Sequence, residues 1–264
     1  MKHAWAEFER IAIEAAHAGG EVLRRRFAGR GPLAVEVKAK HDYVTEVDRE
    51  AEAAVIAVLR RHVPDHAILA EEGSTGGAHA AYRWIVDPLD GTTNFIHGVP
   101  AFAVSIGLTD ESGLIAGAVH DPCRGETFHA HRGGGAFLNG SGIACTELDH
   151  LDAALIATGF PFREMEQLSA YLGAFERFVR ATSGLRRAGS ASLDLVYTAC
   201  GRYDGFFEVG LKPWDLAGGA LVVMEAGGIV TDVHGGPEFL REGSVVAAGS
   251  RLHPAMLAIT NGTL

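Results

Sequence analysis

The acidic residues of this sequence fall where a divalent cation could use them. An apolar run, Trp84-Ile85-Val86, delivers Asp87 at its end, and Pro88-Leu89-Asp90-Gly91-Thr92-Thr93-Asn94-Phe95 follows. Pro88 fixes one backbone angle and removes one donor. Gly91 permits an unusual backbone conformation, and Thr92, Thr93 and Asn94 are residue types that cap helices. A strand running through two carboxylates into a helix start makes a paired site: carboxylates bind hard cations, and free backbone N–H groups at the helix start bind phosphate. A lone Asp-x-x-Asp more often caps a turn. Here other acids stand at comparable places: Glu71-Glu72 close the apolar run at 67–70, Asp215 follows Pro213-Trp214 at an expected helix start, and Asp48 closes the segment 42–48. Several acids at element ends predict a shared cation site, and all-oxygen coordination points to Mg²⁺ or Mn²⁺.

Those acids need elements to carry them. Phe8, Ile11, Ala15, Ala18, Val22 and Phe27 recur at helical spacing and predict one amphipathic helix over 4–27. Arg24, Arg25 and Arg26 suit the negative end of its dipole, and Gly29, Gly31 and Pro32 end it. A short apolar stretch, 33–37, follows. A second helix is expected over 48–62, with Ala51, Val55, Val58 and Leu59 on one face and Pro64 beyond it, then strands at 67–70 and 84–86. Residues 102–108 and 114–120 are β-like runs joined by the turn Asp110-Glu111-Ser112-Gly113. Residues 126–131 extend this meander, and Gly133-Gly134-Gly135 mark the next turn. In the second half, apolar strands at 154–157, 229–230 and 245–248 alternate with helices at 166–181, 190–200 and 214–226, an α/β pattern. The first half reads as α+β, and no repeat or low-complexity linker separates the two.

The chain of 264 residues, 47% hydrophobic and 21% charged, suffices for one large domain or two halves sharing a core. Its formal net charge of −10 disfavours general nucleic-acid binding. The same charge opposes an anionic phosphate ester, a conflict that a bound divalent cation would resolve. Cys123, Cys145 and Cys200 are far apart, lack metal-ligand spacing and read as reduced thiols. The N-terminus, with Lys2, Glu7, Glu9 and Arg10, has no signal-peptide core, and no apolar run approaches the roughly 20 residues of a membrane span. The expectation is a cytoplasmic protein without a membrane partner.

With these residues assembled, the sequence resembles the inositol monophosphatase family. The matching stretches are Lys38 with 42–48, Glu71-Glu72-Gly73, Asp87-Pro88-Leu89-Asp90-Gly91-Thr92-Thr93-Asn94, and Leu211-Lys212-Pro213-Trp214-Asp215 with Glu225-Ala226-Gly227-Gly228. Residues 134–140 and 187–194 agree as well, so matches run in the family's order from about residue 8 to about residue 250. The resemblance implies an α/β fold, the layered αβαβα sandwich of the inositol monophosphatase and fructose-1,6-bisphosphatase type. It implies a single phosphatase domain over 1–264, with an N-terminal α+β half (1–145), a C-terminal α/β half (146–264) and the active site between them. Glu71, Asp87 and the Leu89 carbonyl would hold a first Mg²⁺. Asp87, Asp90 and Asp215 would hold a second, and Glu71 with waters a third, Mn²⁺ being a possible substitute. Asp48, Thr92 and Glu71 carry the catalytic roles, Thr92 with Asp48 helping to activate the attacking water. Backbone N–H groups of Gly91 and Thr92 would bind the phosphate. Asp90, Ala191, Glu208 and Asp215 would face the alcohol part of the substrate, with Lys38 and Glu72 in support. A homodimer and inhibition by lithium are implied in the same way. The expected substrate is inositol-1-phosphate. Histidinol phosphate, fructose-1,6-bisphosphate and 3′-phosphoadenosine 5′-phosphate are alternatives within the superfamily.

Two rivals stand against this. An aspartyl-phosphate phosphatase of the haloacid dehalogenase type uses Asp-x-Asp-Gly-Thr, acids two apart on one face of an extended segment, whereas Asp87 and Asp90 are three apart. A non-catalytic phosphate-ligand or partner-binding protein could keep the same fold. His129 and His131 share a strand face without an evident third ligand and read as a solvated or packed pair. Arg186 and Arg187 could reach a neighbouring chain or a substrate phosphate, or make surface salt bridges. Phe160-Pro161-Phe162 reads as a loop anchor or subunit contact, and Phe95, Phe102 and Phe128 as core.

Overall fold

The computed structural model describes residues 2–29, 35–39, 42–75, 80–162 and 164–264. It opens with helix α1 (Lys2–Gly29), the hairpin β1 (Val35–Ala39) and β2 (Asp42–Thr45), and helix α2 (Glu46–His62). Then follow β3 (Ala67–Ala70), β4 (Ser74–Thr75), β5 (Arg83–Asp90), the short helix α3 (Thr92–His97), and the meander β6 (Ala103–Asp110), β7 (Gly113–Asp121), β8 (Glu126–His131), β9 (Gly135–Leu138) and β10 (Ser141–Ile143). The rest comprises β11 (Leu155–Thr158), α4 (Leu168–Ala181), β12 (Gly184–Arg186), α5 (Ala191–Ala199), β13 (Gly205–Val209), α6 (Pro213–Glu225), β14 (Gly228–Thr231), α7 (Phe239–Glu242), β15 (Ser244–Gly249) and α8 (His253–Thr260).

Two sheets organise these elements. Eight strands run in the order β10-β9-β8-β7-β6-β5-β3-β4, and five in the order β12-β11-β13-β15-β14. Helices α1 and α2 cover one face of the large sheet. Ile11, Ala15, Leu23, Val55 and Leu59 pack there with Trp84, Val86, Val104 and Ile106. Ile85, pointing the other way from β5, packs instead with α5 and α6, which lie between the sheets. Buried on both faces, β5 reads as a continuous apolar run rather than an alternating one. Helices α4 and α8 close the outer face of the small sheet, where Tyr171, Phe178 and Met256 meet Phe207 and Val246. The layers are therefore αβαβα, as the resemblance implies.

Helix α6 is apolar on every side because it sits between two sheets; residues 215–223 are all buried. Glycines let it lie directly on the large sheet. A Cβ at Gly107 would come within 2.6 Å of the Ala217 Cβ, and one at Gly218 within 2.8 Å of the Ser105 Oγ. This close approach holds the start of α6, and Asp215 with it, against β5 and β6.

Several boundaries differ from the sequence reading. The expected helix over 166–181 is a 3-10 turn (Met165–Gln167) followed by α4. The run read as ending at Asp87 continues to Asp90 through an irregularity described below. The short elements β9, β10, β12, β13, α7 and α8 carry too few periodic residues to be marked. Arg24, Arg25 and Arg26 pair with Glu21, Glu50 and Glu46, so the latter two tie α1 to α2. Among the described residues, no helix is long and apolar enough to cross a membrane.

A histidine layer lies between α1 and the large sheet. The Glu9 carboxylate binds His129 Nδ1 at 2.6 Å and His131 Nδ1 at 2.5 Å, so this pair is packed. His17 and His120 stack edge to face at 4.7 Å and share the Thr127 hydroxyl, at 2.7 and 3.0 Å. Burial pushes the His120 imidazole down to about 4 and lowers His17 as well. His120 stays neutral in the fold well below the pH at which it charges in the unfolded chain. The stability this supplies is complete above about pH 6.5 and is lost as pH falls towards 4. Chemical denaturation at pH 7.5 and 4.5 should show a loss on the order of 2 kcal/mol from His120, and His120→Asn should flatten the profile between those values.

Candidate functional site

Asp87 and Asp90 reach the same place through a bulge. Along β5 and β6, Asp87 pairs with Ser105 but Asp90 with Ala103, so three steps on one strand oppose two on the other. Pro88 has no N–H for the ladder at this point, and the extra residue bends the strand so that both acids turn to one side. Asp215, from the first turn of α6, meets them there. One carboxylate oxygen from each of the three lies within 4.8 Å of the others, and the three residues are only 1%, 8% and 6% exposed.

Donors aim each carboxylate. Asp87 Oδ1 accepts the Leu89 N–H at 2.9 Å, and Asp215 Oδ2 accepts the Lys212 N–H at 2.7 Å. Asp90 Oδ2 accepts from Ser190 Oγ (2.6 Å), Ser192 Oγ (2.5 Å) and the Ser192 N–H (2.8 Å). Burial first, and then the charges of Glu71, Asp90 and Asp215, push the Asp87 carboxyl well above the usual range. Burial also raises Asp90, opposed by its serine donors.

The end of β5 turns into α3 through Gly91, which occupies the left-handed region at φ 98° and is itself the N-cap. The expectation that Thr92, Thr93 and Asn94 cap this helix is thus corrected: no side chain caps it. A Cβ at Gly91 would lie 2.9 Å from the Ala101 carbonyl oxygen, so the turn needs glycine. Asn94 instead donates from Nδ2 to the Ala101 carbonyl (2.7 Å) and the Ala188 carbonyl (2.9 Å), tying α3 to the loop before α5. Thr92 Oγ1 stands 3.2 Å from Asp48 Oδ1 and 3.0 Å from the Leu89 carbonyl. Asp48 is the third residue of α2 and completes its capping box, Oδ2 accepting the Thr45 N–H at 2.8 Å. Burial raises its carboxyl against the Thr45 bonds, with a smaller push from Glu72.

These groups open onto a cleft of about 470 Å³, a size suited to a small metabolite. Of the residues singled out from sequence, Glu71, Asp87, Leu89, Asp90, Gly91, Thr92, Ala191, Glu208 and Asp215 line it. Glu208 comes from β13 and packs over Gly159, where a Cβ would fall 1.9 Å from Oε1. Asp48 stands behind Thr92 and is not part of the lining. Neither is Glu72, whose N–H donates to Glu52 Oε2 at 2.9 Å. Lys38 falls in β1, and its side chain lies outside the described residues.

Among the other lining residues are Phe160, Phe162 and Arg187, the last read from the sequence as able to reach a neighbouring chain, a substrate phosphate or a surface salt bridge. Arg187 sits in the wall with its guanidinium 5.7 Å from the Phe160 ring and 5.4 Å from Phe162. Their types hinted at contacts, but only the fold shows that the contacts are at this cleft. Ser190 and Ser192, which hold Asp90 from a hundred residues away, lie in the family-like stretch 187–194, but nothing in the sequence alone ties them to Asp90. The cysteines are free, and burial pushes the Cys145 thiol up to about 12 and raises that of Cys200.

The donor set fits a hard divalent cation. All candidate ligand atoms are oxygens, the three carboxylates are buried together, and their mutual repulsion is what a cation would relieve. No other cluster of this kind occurs among the described residues.

The family profile described as "Inositol monophosphatase family" matches residues 4–262. The chain is 49% identical over 252 residues to the Nus factor SuhB of Pseudomonas aeruginosa, covering 94% of this chain and 93% of that protein. The extragenic suppressor protein suhB from Bartonella henselae superposes with a TM-score of 0.92 at 38% identity, covering 97% of this chain and 98% of that one. An inositol monophosphatase from Anabaena gives 0.88 at 37% identity, covering 98% and 97%.

The buried charges set a sign for one substitution. A carboxyl whose folded value is raised costs the metal-free native state stability as pH rises through that value. Asp87→Asn keeps an acceptor for the Leu89 N–H and removes the charge. In EDTA at neutral pH it should melt roughly 2–4 °C above the unsubstituted protein, and Mg²⁺ should raise its melting temperature far less. Differential scanning calorimetry checks both shifts.

Proposed function

The chain belongs to the inositol monophosphatase family, and from that premise we propose that it is a Mg²⁺-dependent phosphatase that hydrolyses a phosphate monoester of a small polyol, inositol-1-phosphate first. The observation that carries this reading is the convergence of Asp87, Asp90 and Asp215 in one buried cluster beside Glu71 and a metabolite-sized cleft.

In this reading Glu71, Asp87 and the Leu89 carbonyl would hold one Mg²⁺, Asp87, Asp90 and Asp215 a second, and Glu71 would contribute to a third, with Mn²⁺ as a substitute. Bound there, the cations would offset phosphate charge and make water a better nucleophile near neutral pH. The protein's own residues do the positioning. Thr92 orients the attacking water, and its hydroxyl, which donates to Asp48 behind it, passes the water's proton on to that carboxylate while accepting it on the cleft side. The Gly91 and Thr92 N–H groups, at the start of α3, bind the phosphate. Asp90, Ala191, Glu208 and Asp215 face the leaving alcohol, where carboxylates accept hydrogen bonds from hydroxyls. Lys38 and Glu72 support the network. A Glu at 208 also suits the amine of histidinol phosphate, which is the alternative substrate. The reading treats 1–145 and 146–264 as halves of one domain around the cleft, in a cytoplasmic, lithium-sensitive homodimer.

A second reading is favoured by one finding, the name Nus factor carried by the P. aeruginosa relative. In it the chain serves as a Nus factor through a partner rather than through turnover, since a shared fold does not fix activity.

The test is a panel of inositol-1-phosphate, histidinol phosphate, fructose-1,6-bisphosphate and 3′-phosphoadenosine 5′-phosphate with Mg²⁺, comparing kcat/KM. Inositol-1-phosphate should rank highest. No Mg²⁺-dependent phosphate release from any of the four would reject the phosphatase and leave the partner reading. Asp90→Asn should lower kcat/KM by roughly 100-fold or more with an unchanged circular dichroism spectrum. Full turnover in that variant would remove Asp90 from the site.

A further inference from the structure

His97 aside, the polar charge in the cleft wall is acidic with one exception. Glu71, Asp87, Asp90, Glu208 and Asp215 stand against a single guanidinium, that of Arg187. Arg187 is exposed, and among the described residues it forms no ion pair and no hydrogen bond. Its place is nevertheless built. The loop that carries it runs from β12 to α5 and is tied to α3, where Asn94 Nδ2 donates to the Ala188 carbonyl at 2.9 Å. The side chain folds back over Gly189, where a Cβ would fall 2.5 Å from Arg187 Nη1. The guanidinium then lies 5.7 Å from the Phe160 ring and 5.4 Å from the Phe162 ring. Phe160 is seated on the core through Tyr171 at 5.7 Å and Phe175 at 6.2 Å. The residue before it, Gly159, is the one over which Glu208 packs. Arg187 and Glu208 therefore stand at the same end of the cleft. Their charges also reach the same two buried groups: burial raises the Tyr171 hydroxyl and the Asp194 carboxyl, Glu208 adds to both shifts and Arg187 opposes them.

We propose that Arg187 selects the substrate's alcohol: with Glu208 it reads the hydroxyls of a neutral polyol, and it turns away an alcohol that carries an amine. This rests on the phosphatase reading of the cleft, in which Glu208 faces the leaving alcohol. A hydroxyl both donates and accepts, an ionised Glu only accepts, and Arg only donates. Glu208 can take the hydrogen of one hydroxyl while Arg187 donates to the oxygen of another. A protonated amine donates but cannot accept. Glu208 alone would welcome it, so an all-acidic lining would favour a cationic leaving group over a neutral one. An unpaired guanidinium at the same end opposes that preference, because two cations in one small cleft repel and the Arg187 donors are left without an acceptor. The selection is made by repulsion as much as by contact. Of the two substrates carried by the proposed function, inositol-1-phosphate is accepted at this end and histidinol phosphate is penalised. Lysine could supply the charge at 187 but neither the planar fork nor the contact with the two rings.

The experiment compares kcat/KM for inositol-1-phosphate and histidinol phosphate with Mg²⁺ in the unsubstituted chain and in Arg187→Gln, Arg187→Lys and Arg187→Glu, with circular dichroism as the control for folding. Phenyl phosphate, whose leaving group has neither a further hydroxyl nor an amine, is the baseline. Arg187→Gln should shift the ratio of the two substrates about tenfold or more towards histidinol phosphate, and Arg187→Glu should shift it further. The loss on inositol-1-phosphate should fall on KM with kcat nearly unchanged, since a contact to the alcohol holds ground state and transition state alike. Arg187→Lys should keep the penalty on the amine while raising KM for inositol-1-phosphate. Phenyl phosphate should barely respond. A residue that merely held the loop would lower all three substrates together and leave the ratio alone. The same ratio is read without turnover by calorimetric titration of the two esters with Ca²⁺ in place of Mg²⁺. Phosphate release from neither ester would reject the phosphatase reading, and the two dissociation constants would then decide the role of Arg187. A ratio unchanged by Arg187→Gln and Arg187→Glu, or an unsubstituted protein that prefers histidinol phosphate, overturns the selection.

Discussion

Like charges held out of water repel, and the candidate site keeps three carboxylate oxygens within 4.8 Å of one another in a buried setting. At an effective dielectric of about 20, two unit charges at that separation repel by on the order of 3 kcal/mol, and three pairs are involved. The donors provided by Leu89, Lys212, Ser190 and Ser192 each contribute about 1.5–3 kcal/mol to a charged acceptor, and most of that replaces hydrogen bonds to water. They aim the acids without removing the repulsion. A proton relieves part of it, so the repulsion adds to burial, the larger cause, in driving the Asp87 carboxyl up. A divalent cation would relieve more of it than one proton can. Without such a counter-charge the cluster is strained, a common cost of function.

The rest of the architecture keeps that strained cluster in place. Two carboxylates come from a bulge in a central strand flanked on both sides, and the third from a helix that glycines allow to press against the same sheet. Asn94 and the two serines then tie the loops of 89–101 to those of 188–192, so Asp90 is held from the second half of the chain. Asp87 and Asp90 from β5, Ala191 from α5, Glu208 from β13 and Asp215 from α6 all stand on regular elements, which keeps the cleft's polar groups in register. The partly exposed rim of Phe160, Phe162 and Arg187 is the less constrained wall of the cleft.

Much of the acidic cluster was legible because its cues are local. An apolar run followed by Asp-Pro-Leu-Asp-Gly marks a strand leading into a turn, and Pro213-Trp214-Asp215 marks a helix start. The bulge itself was not legible, since two strands must pair before a residue can be extra. Nor was Gly91 as the cap of α3: the clash that demands glycine comes from Ala101, ten residues on. Ser190, Ser192 and Arg187 gained their places only through contacts made across the fold. The layered architecture followed from the family resemblance, whereas periodicity alone reached only an α+β half joined to an α/β half. Short strands such as β9 and β10 hold too few residues to show a period.

The most direct test of this account is a count of bound ions. Mn²⁺ titrated into the metal-free protein and followed by electron paramagnetic resonance should lose free-ion signal in a saturable way, with two or more ions bound per chain and displaced by excess Mg²⁺. A free Mn²⁺ signal unchanged by the protein would mean that Asp87, Asp90 and Asp215 converge for some other reason, and the account would be wrong at its centre.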